Sequence, residues 1–409
     1  MYIPFPCRSF FKNDPLFASL CLSMIFLPVS NALGQGPLYA ASVFGAVTVI
    51  RSRAPVRKGS LIFVAAFALL ILSGLFYAVH RENLVDKLNR LMLFPLVFVV
   101  PFVMHRKGGA VEKTQRLIWC FVAGTVILAG YDLFRIPLEF RQGTAFFDTG
   151  HMVPPQVFMT AFFLLLGVPP PARKHGKLFF VLLLALFVAG MLLHNKRGVW
   201  LACLAAFGLW VFLSRQWKML AGGGLLIIFA SLLPSVQVRM MELRDVMQPT
   251  HGGRMVLWNV VAPVLFEQYP WGMGYSVSEH QDFRAVIDAV NANLPRSEWV
   301  HLEDRLNHLH NNFLQIRLEM GAHGLVWWIL WMAFVLWTAF RIGPANDPLA
   351  PLRTGVACAF LALLLNGLVE YNFGASKPLM IYLVLMGLID THRCPEKGTG
   401  TEPEPNTSG

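Results

Sequence analysis

Three short stretches combine residue types suited to chemistry on hydroxyl and phosphate groups. The densest runs Asn307-His308-Leu309-His310-Asn311-Asn312, and nine residues separate Asn311 from Gly321-Ala322-His323-Gly324. A helix starting near Asn311 would stop at Gly321, a normal C-terminal glycine, with His310 at its mouth. Three roles stay open for that histidine. It can be a hydrogen-bonded interfacial residue, a metal ligand with His308, His301, Glu303 and Asp304 nearby, or a general base near neutral pH.

The second stretch, Thr250-His251-Gly252-Gly253-Arg254, opens an expected helix from about Arg254 to Gln268. Arg254 would sit in its first turn, where free backbone N–H groups and the helix dipole favour anions. A plain cap with a solvated arginine is the alternative. The third, His194-Asn195-Lys196-Arg197-Gly198, is a tight turn between two apolar blocks. Lys196 and Arg197 suit interfacial anchoring there, while the forked guanidinium also suits phosphate oxygens. Asn311, His308, Glu370 and Lys377 are secondary candidates, and Arg81, Lys87 and Arg90 offer further positive charge on a separate polar loop.

These residues must be positioned by membrane-spanning helices. Of 409 residues, 56% are hydrophobic and only 14% charged, against about 25% charged in a soluble chain. Mean hydropathy is +0.54. The apolar blocks run approximately 16–34, 36–50, 60–79, 91–104, 117–136, 154–168, 178–193, 199–213, 219–234, 324–340, 354–369 and 379–390. Helices of that order cross hydrocarbon. The fold class expected is all-α: a polytopic integral membrane protein of about twelve spans, divided as 1–234, a loop 235–323, 324–393 and a disordered tail 394–409. The first block has no convincing small-residue cleavage site and is expected to remain as a span. A soluble enzyme, a disulfide scaffold and a disordered chain are excluded. The six cysteines read as packing residues, and Gly222-Gly223-Gly224 as close helix packing.

The formal charge of +11 reads as cytoplasmic retention of Lys and Arg rather than nucleic-acid binding. Short loops on one side hold 19 Lys and Arg against 8 on the other, which assigns both termini to the cytoplasm. The 89-residue segment 235–323 then lies outside, with most of the chemistry-capable residues. The block centres are nearly free of charge, unlike a pump or transporter. An active site at the outer membrane–water interface is the expectation.

Taken together, the three stretches resemble the O-antigen ligase and polymerase superfamily of bacterial envelope glycosyltransferases. The family pattern, H[NSQ] then nine residues then GxxG, is met by His310-Asn311 through Gly321 and Gly324. Its Arg-Gly turn matches Arg197-Gly198, and its loop arginine matches Arg254. Within the superfamily the chain most resembles the O-antigen ligases. Gly367-Leu368-Val369-Glu370, Lys377 beyond it and the short tail share that likeness. The resemblance implies transfer on the periplasmic face of the inner membrane. The donor would be undecaprenyl-diphosphate-linked O-antigen and the acceptor lipid A–core oligosaccharide, with membrane lipids around both. His310 would be the general base, with Arg197 and Arg254 on the diphosphate. With arginines in that role no metal or other cofactor is expected, and a single displacement would invert the anomeric carbon. An O-antigen polymerase, a protein O-oligosaccharyltransferase and a polysaccharide transporter are the alternatives.

Overall fold

The computed structural model describes residues 14–79, 81–106, 108–141, 153–194, 196–219, 237, 254–276, 282–296, 299–300, 308–341 and 349–391. Within them the chain is helical and has no strand. The helices, in chain order, begin with α1 (Pro15–Phe26), α2 (Asn31–Arg51), α3 (Lys58–Tyr77) and the short α4 (Arg81–Lys87). A 3-10 turn, Leu88–Leu93, leads into α5 (Leu96–His105). Then follow α6 (Ala110–Arg141), α7 (Val153–Gly167), α8 (Lys174–Leu193) and α9 (Arg197–Ser214). Every apolar block but one falls on a helix. The block at 219–234, the glycine run within it, Thr250 to Gly253 and the tail lie outside the described residues.

Among the described residues, seven helices are long and apolar enough to cross a membrane, and three shorter apolar helices, α1, α7 and Ala350–Asn366, accompany them. The protein is an all-α polytopic membrane protein. The outward side chains agree: Phe44, Ile50, Leu69, Phe76, Phe134 and Trp337 are exposed on helix flanks, as lipid contact allows and water would penalise. Helices suit that setting because their backbone N–H and C=O groups are satisfied internally.

The segment between α9 and the last helices builds a second, smaller core. A helical run, α10, comprises Arg254–Val256, a π-type stretch Leu257–Val261 and Ala262–Gln268. It meets α11 (Phe283–Asn291), which starts where Asp282 caps the backbone N–H groups of Arg284 and Ala285. Phe283, Val286 and Ile287 recur at helical spacing and pack with Val256, Leu257, Val261 and Leu265. Leu309 and Leu318 join this cluster, so the stretch carrying His310 is part of it.

Three helices complete the chain: α12 (Asn312–Phe340), α13 (Ala350–Asn366) and α14 (Ser376–Thr391). α13 packs on α7 and α9, and α14 on α5. At one end of the bundle, ion pairs join Arg57 to Asp390 at 2.7 Å and Lys113 to Asp14 at 3.3 Å. Towards the other end, rings of Phe67, Phe94, Trp331, Tyr275 and Phe373 meet at centroid distances of 5.3 to 6.4 Å. That aromatic floor supports the α13–α14 turn, of which Phe373 is part.

Candidate active site

His310 lies just before α12 and is held in the left-handed region, with φ 48°. Such a backbone is uncommon for a residue with a Cβ and recurs at functional sites. Its neighbours fix it there. The Trp258 indole N–H on α10 donates to the Leu309 carbonyl at 2.7 Å, and Gln315 Oε1 accepts the Leu309 N–H at 2.8 Å. Asn311 then caps α12, its Oδ1 accepting from the N–H groups of Phe313 and Leu314, while its Nδ2 donates to the Leu368 carbonyl at 2.7 Å. The asparagine is therefore a cap and a strap to the α13–α14 turn.

That turn presents Glu370. Its Oε1 faces His310 Nδ1 at 2.9 Å and His308 Nε2 at 3.5 Å, and its Oε2 accepts from Arg254 Nη2 at 3.1 Å. Residues 60 and 116 positions away in sequence thus meet at one carboxylate. The His308 and His310 rings stack with centroids 4.0 Å apart. Burial would raise the Glu370 carboxyl, but hydrogen bonds from His308 and His310 and the charges of His310 and Arg254 hold it well below the usual carboxylate range. Burial pushes His310 below the ordinary imidazole value, the Glu370 bond opposing it. A neutral ring with Nδ1–H donated to Glu370 leaves the lone pair on Nε2. That atom is buried and has no hydrogen-bond partner among the described residues. Trp328 Nε1 and Gln156 Oε1 share that condition within the bundle, so the signal is its pairing with a bound Nδ1.

Arg254 stands at the first residue of α10 with its side chain about one-third exposed. One of its donors goes to Glu370, and a guanidinium has five. Arg197 opens α9. A Cβ at Gly198 would lie 2.5 Å from Val369 Cγ2, so the missing side chain lets the start of α9 close on the turn bearing Glu370. Behind it, His194 Nε2 meets Asp132 Oδ2 at 2.9 Å, a buried pair joining α6 to the turn before α9.

The remaining candidates go elsewhere. Lys377 donates to the Pro28 carbonyl at 2.8 Å, tying α14 to the α1–α2 connection. Arg81 donates to the Phe76 carbonyl, closing off α3, and Lys87 ends α4. Arg90 bonds the Gly374 carbonyl at 2.6 Å and Ser276 Oγ at 2.9 Å, bracing the turn from below. His301, Glu303 and Asp304 lie outside the described residues.

His308, His310 and Glu370 offer ligand atoms within 4.8 Å of one another, a spacing that could hold a metal ion. The Arg254 guanidinium on the same carboxylate opposes a cation there, and its charge would stand beside the metal's. The chemistry of this set therefore favours a hydrogen-bonded dyad over a ligand set.

Residues 180–329 match the family model described as O-antigen ligase. Over this stretch the chain is similar to the O-antigen ligase family. The matched stretch contains Arg197, Arg254, His308 and His310, while Glu370 lies beyond it. Comparison with curated proteins finds no match. Members of the family are membrane glycosyltransferase-like enzymes.

The glycines of the superfamily pattern acquire physical reasons here. Gly321 breaks α12 with φ 71° and ψ −178°, and a Cβ there would sit 2.7 Å from the Trp271 carbonyl oxygen. The helix does not end at Gly321 but resumes beyond it. What the sequence did not reveal is the asparagine ladder below Glu370. Asn312 is fully buried; its backbone N–H donates to the Gly367 carbonyl at 2.7 Å, and its Nδ2 to Asn372 Oδ1 at 2.7 Å. Its Oδ1 accepts from the N–H groups of Asn372 and Phe373, and Tyr382 OH donates to Asn372 Oδ1. Asn312→Ala leaves several buried groups unpaired. It is expected to cost about 1–3 kcal/mol per orphaned group and to lower the melting temperature of the purified protein; an unchanged melting temperature would show the ladder to be dispensable.

Proposed function

We propose that the chain is an O-antigen ligase, transferring polysaccharide from undecaprenyl diphosphate to lipid A–core oligosaccharide at the periplasmic face of the inner membrane. Family substrates of that general kind support the reading. The observation that carries it is the set His310–Glu370–Arg254, with a base nitrogen awaiting a hydroxyl and an arginine beside it.

An acceptor hydroxyl oxygen attacks the anomeric carbon of the donor sugar. As that bond forms, the bond from the anomeric carbon to the phosphate oxygen breaks, and its electrons leave with the lipid diphosphate. The hydroxyl proton passes to His310 Nε2. Glu370, bonded to Nδ1, fixes the tautomer and offsets the imidazolium charge, which would otherwise build beside Arg254. The free donors of Arg254, with Arg197 at the start of α9, hold the diphosphate oxygens as their charge grows. One displacement inverts the configuration. Substrates with polyprenyl and acyl tails reach such a site sideways through the bilayer.

His310→Ala should lose about 10²–10⁴-fold in transfer while retaining donor binding. Normal transfer by that variant would remove the base assignment. Because burial lowers His310, the acid limb of kcat/KM should lie below about pH 6.5, the ordinary imidazole value. Activity would persist while the ring stays neutral and fall as it protonates.

Arg254→Lys keeps the charge but not the fork. It should reduce transfer about 10²-fold, and full activity would make Arg254 a solvated charge. Chelation of purified enzyme should leave the rate intact; inactivation reversed by a divalent ion would favour the ligand set instead. In cells, deletion of the gene should leave bare lipid A–core with lipid-linked polymer accumulating. Core bearing a single repeat would indicate a polymerase.

A further inference from the structure

We infer that Glu319 is a positioning residue for the His310–Glu370 dyad, its buried carboxylate bonding the two segments that carry the dyad's members. The inference rests on His310 acting as proposed above. Glu319 lies in the first half of α12 and has no exposed surface. Gln315 Nε2 donates to its Oε1 at 2.8 Å. The other end of that amide, Gln315 Oε1, accepts the N–H of Leu309, the residue before His310. Tyr371 OH, from the residue after Glu370, donates to the same carboxylate at 2.9 and 3.1 Å.

The two arms therefore end one residue away from each member of the dyad. A third contact comes from the loop after α10, where the Ser276 backbone bonds the Glu319 side chain. The Gly274 N–H also donates to the Glu319 carbonyl at 2.9 Å. Tyr371, Gln315 and Ser276 all present donors, which suits a carboxylate that only accepts.

A buried carboxylate is costly to hold, and a leucine would fill the same helix face without that cost. What a leucine could not do is restrain two chain segments at hydrogen-bond precision. That restraint matters because His310 sits at positive φ, a backbone state that persists only when its surroundings over-determine it. Gln315 is committed at both ends of its amide, so it cannot turn over to suit a changed partner. In Glu319→Gln, one side-chain oxygen becomes an NH2 facing donors. The Tyr371 hydroxyl must then turn to accept from the new amide or share the one remaining oxygen with Gln315, the charge that held both arms is lost, and the dyad loosens.

The test uses purified full-length protein in lipid nanodiscs, with ¹⁵N-labelled histidine rings. The His310 signal is identified by its loss in His310→Gln. Wild-type protein should show His310 as the Nδ1–H tautomer. In Glu319→Gln that preference should be lost and the ring should titrate at lower pH, because the Glu370 bond raises the histidine and burial remains. In the transfer assay kcat should fall about 10–100-fold, with the donor KM unchanged and the acid limb moved to lower pH.

A tautomer and titration identical to wild type in Glu319→Gln would overturn the inference while leaving the base assignment intact. Loss of the tautomer in a protein that transfers nothing to lipid A–core would uphold the positioning and remove the ligase reading. If Glu319→Gln fails to accumulate, Tyr371→Phe cuts one arm alone and should move His310 in the same direction. Wild-type behaviour there would equally overturn it.

Discussion

The Glu370 carboxylate is the contact on which the site depends. One oxygen faces two histidines and the other an arginine, and these partners come from separate parts of the chain. A carboxylate this buried would be unfavourable alone, and its three cationic or donor partners make it tolerable. Its position is in turn set by the turn between α13 and α14. Asn311 and Asn312 strap that turn to the start of α12, and Arg90 braces it through Gly374. Removing charge from Glu370 would therefore disturb His310 and Arg254 together.

The membrane bundle and the segment between α9 and α12 divide the work. The spans supply a rigid frame, with apolar flanks and an aromatic floor under Phe373. The smaller core between α10 and α11 supplies Arg254 and Trp258, and the latter pins the Leu309 carbonyl. The site lies where the two cores meet, with Leu309 and Leu318 belonging to the smaller one and Ile316 and Met320 to the bundle. α12 thus has one face in each. Its break at Gly321 falls beside Trp271, where the loop after α10 crosses it. Sequence segments far apart are brought together by packing across that helix, not by local preference.

Much of the fold was legible because lipid imposes a simple rule: apolar stretches of spanning length become helices. The helical run from Arg254 to Gln268 was legible too, whereas Gly321, read as a helix stop, is a break that α12 continues beyond. Local reading was weaker on partners. Glu370 was seen as a residue that could orient a base or an arginine, yet nothing in the sequence says that it contacts both. Asn312, Asn372 and Glu319 carried no signal, since a buried asparagine or glutamate has no periodic signature and the contacts that join them across the site, Asn312 to Asn372 and Glu319 to Tyr371, span 60 and 52 positions. Lys377, Arg81 and Lys87 were grouped with the arginines by charge alone. Lys377 and Arg81 instead satisfy carbonyls at helix ends.

In the proposed mechanism one carboxylate holds the base and the arginine in working geometry. The most direct test is the pH–rate profile of transfer by purified Glu370→Gln. The amide keeps the shape and can still accept from His310 Nδ1, but it has no charge and turns a donor towards Arg254. The kcat should fall about 10²–10⁴-fold, with the acid limb displaced to lower pH. A Glu370→Gln enzyme with the wild-type rate and profile would contradict that mechanism.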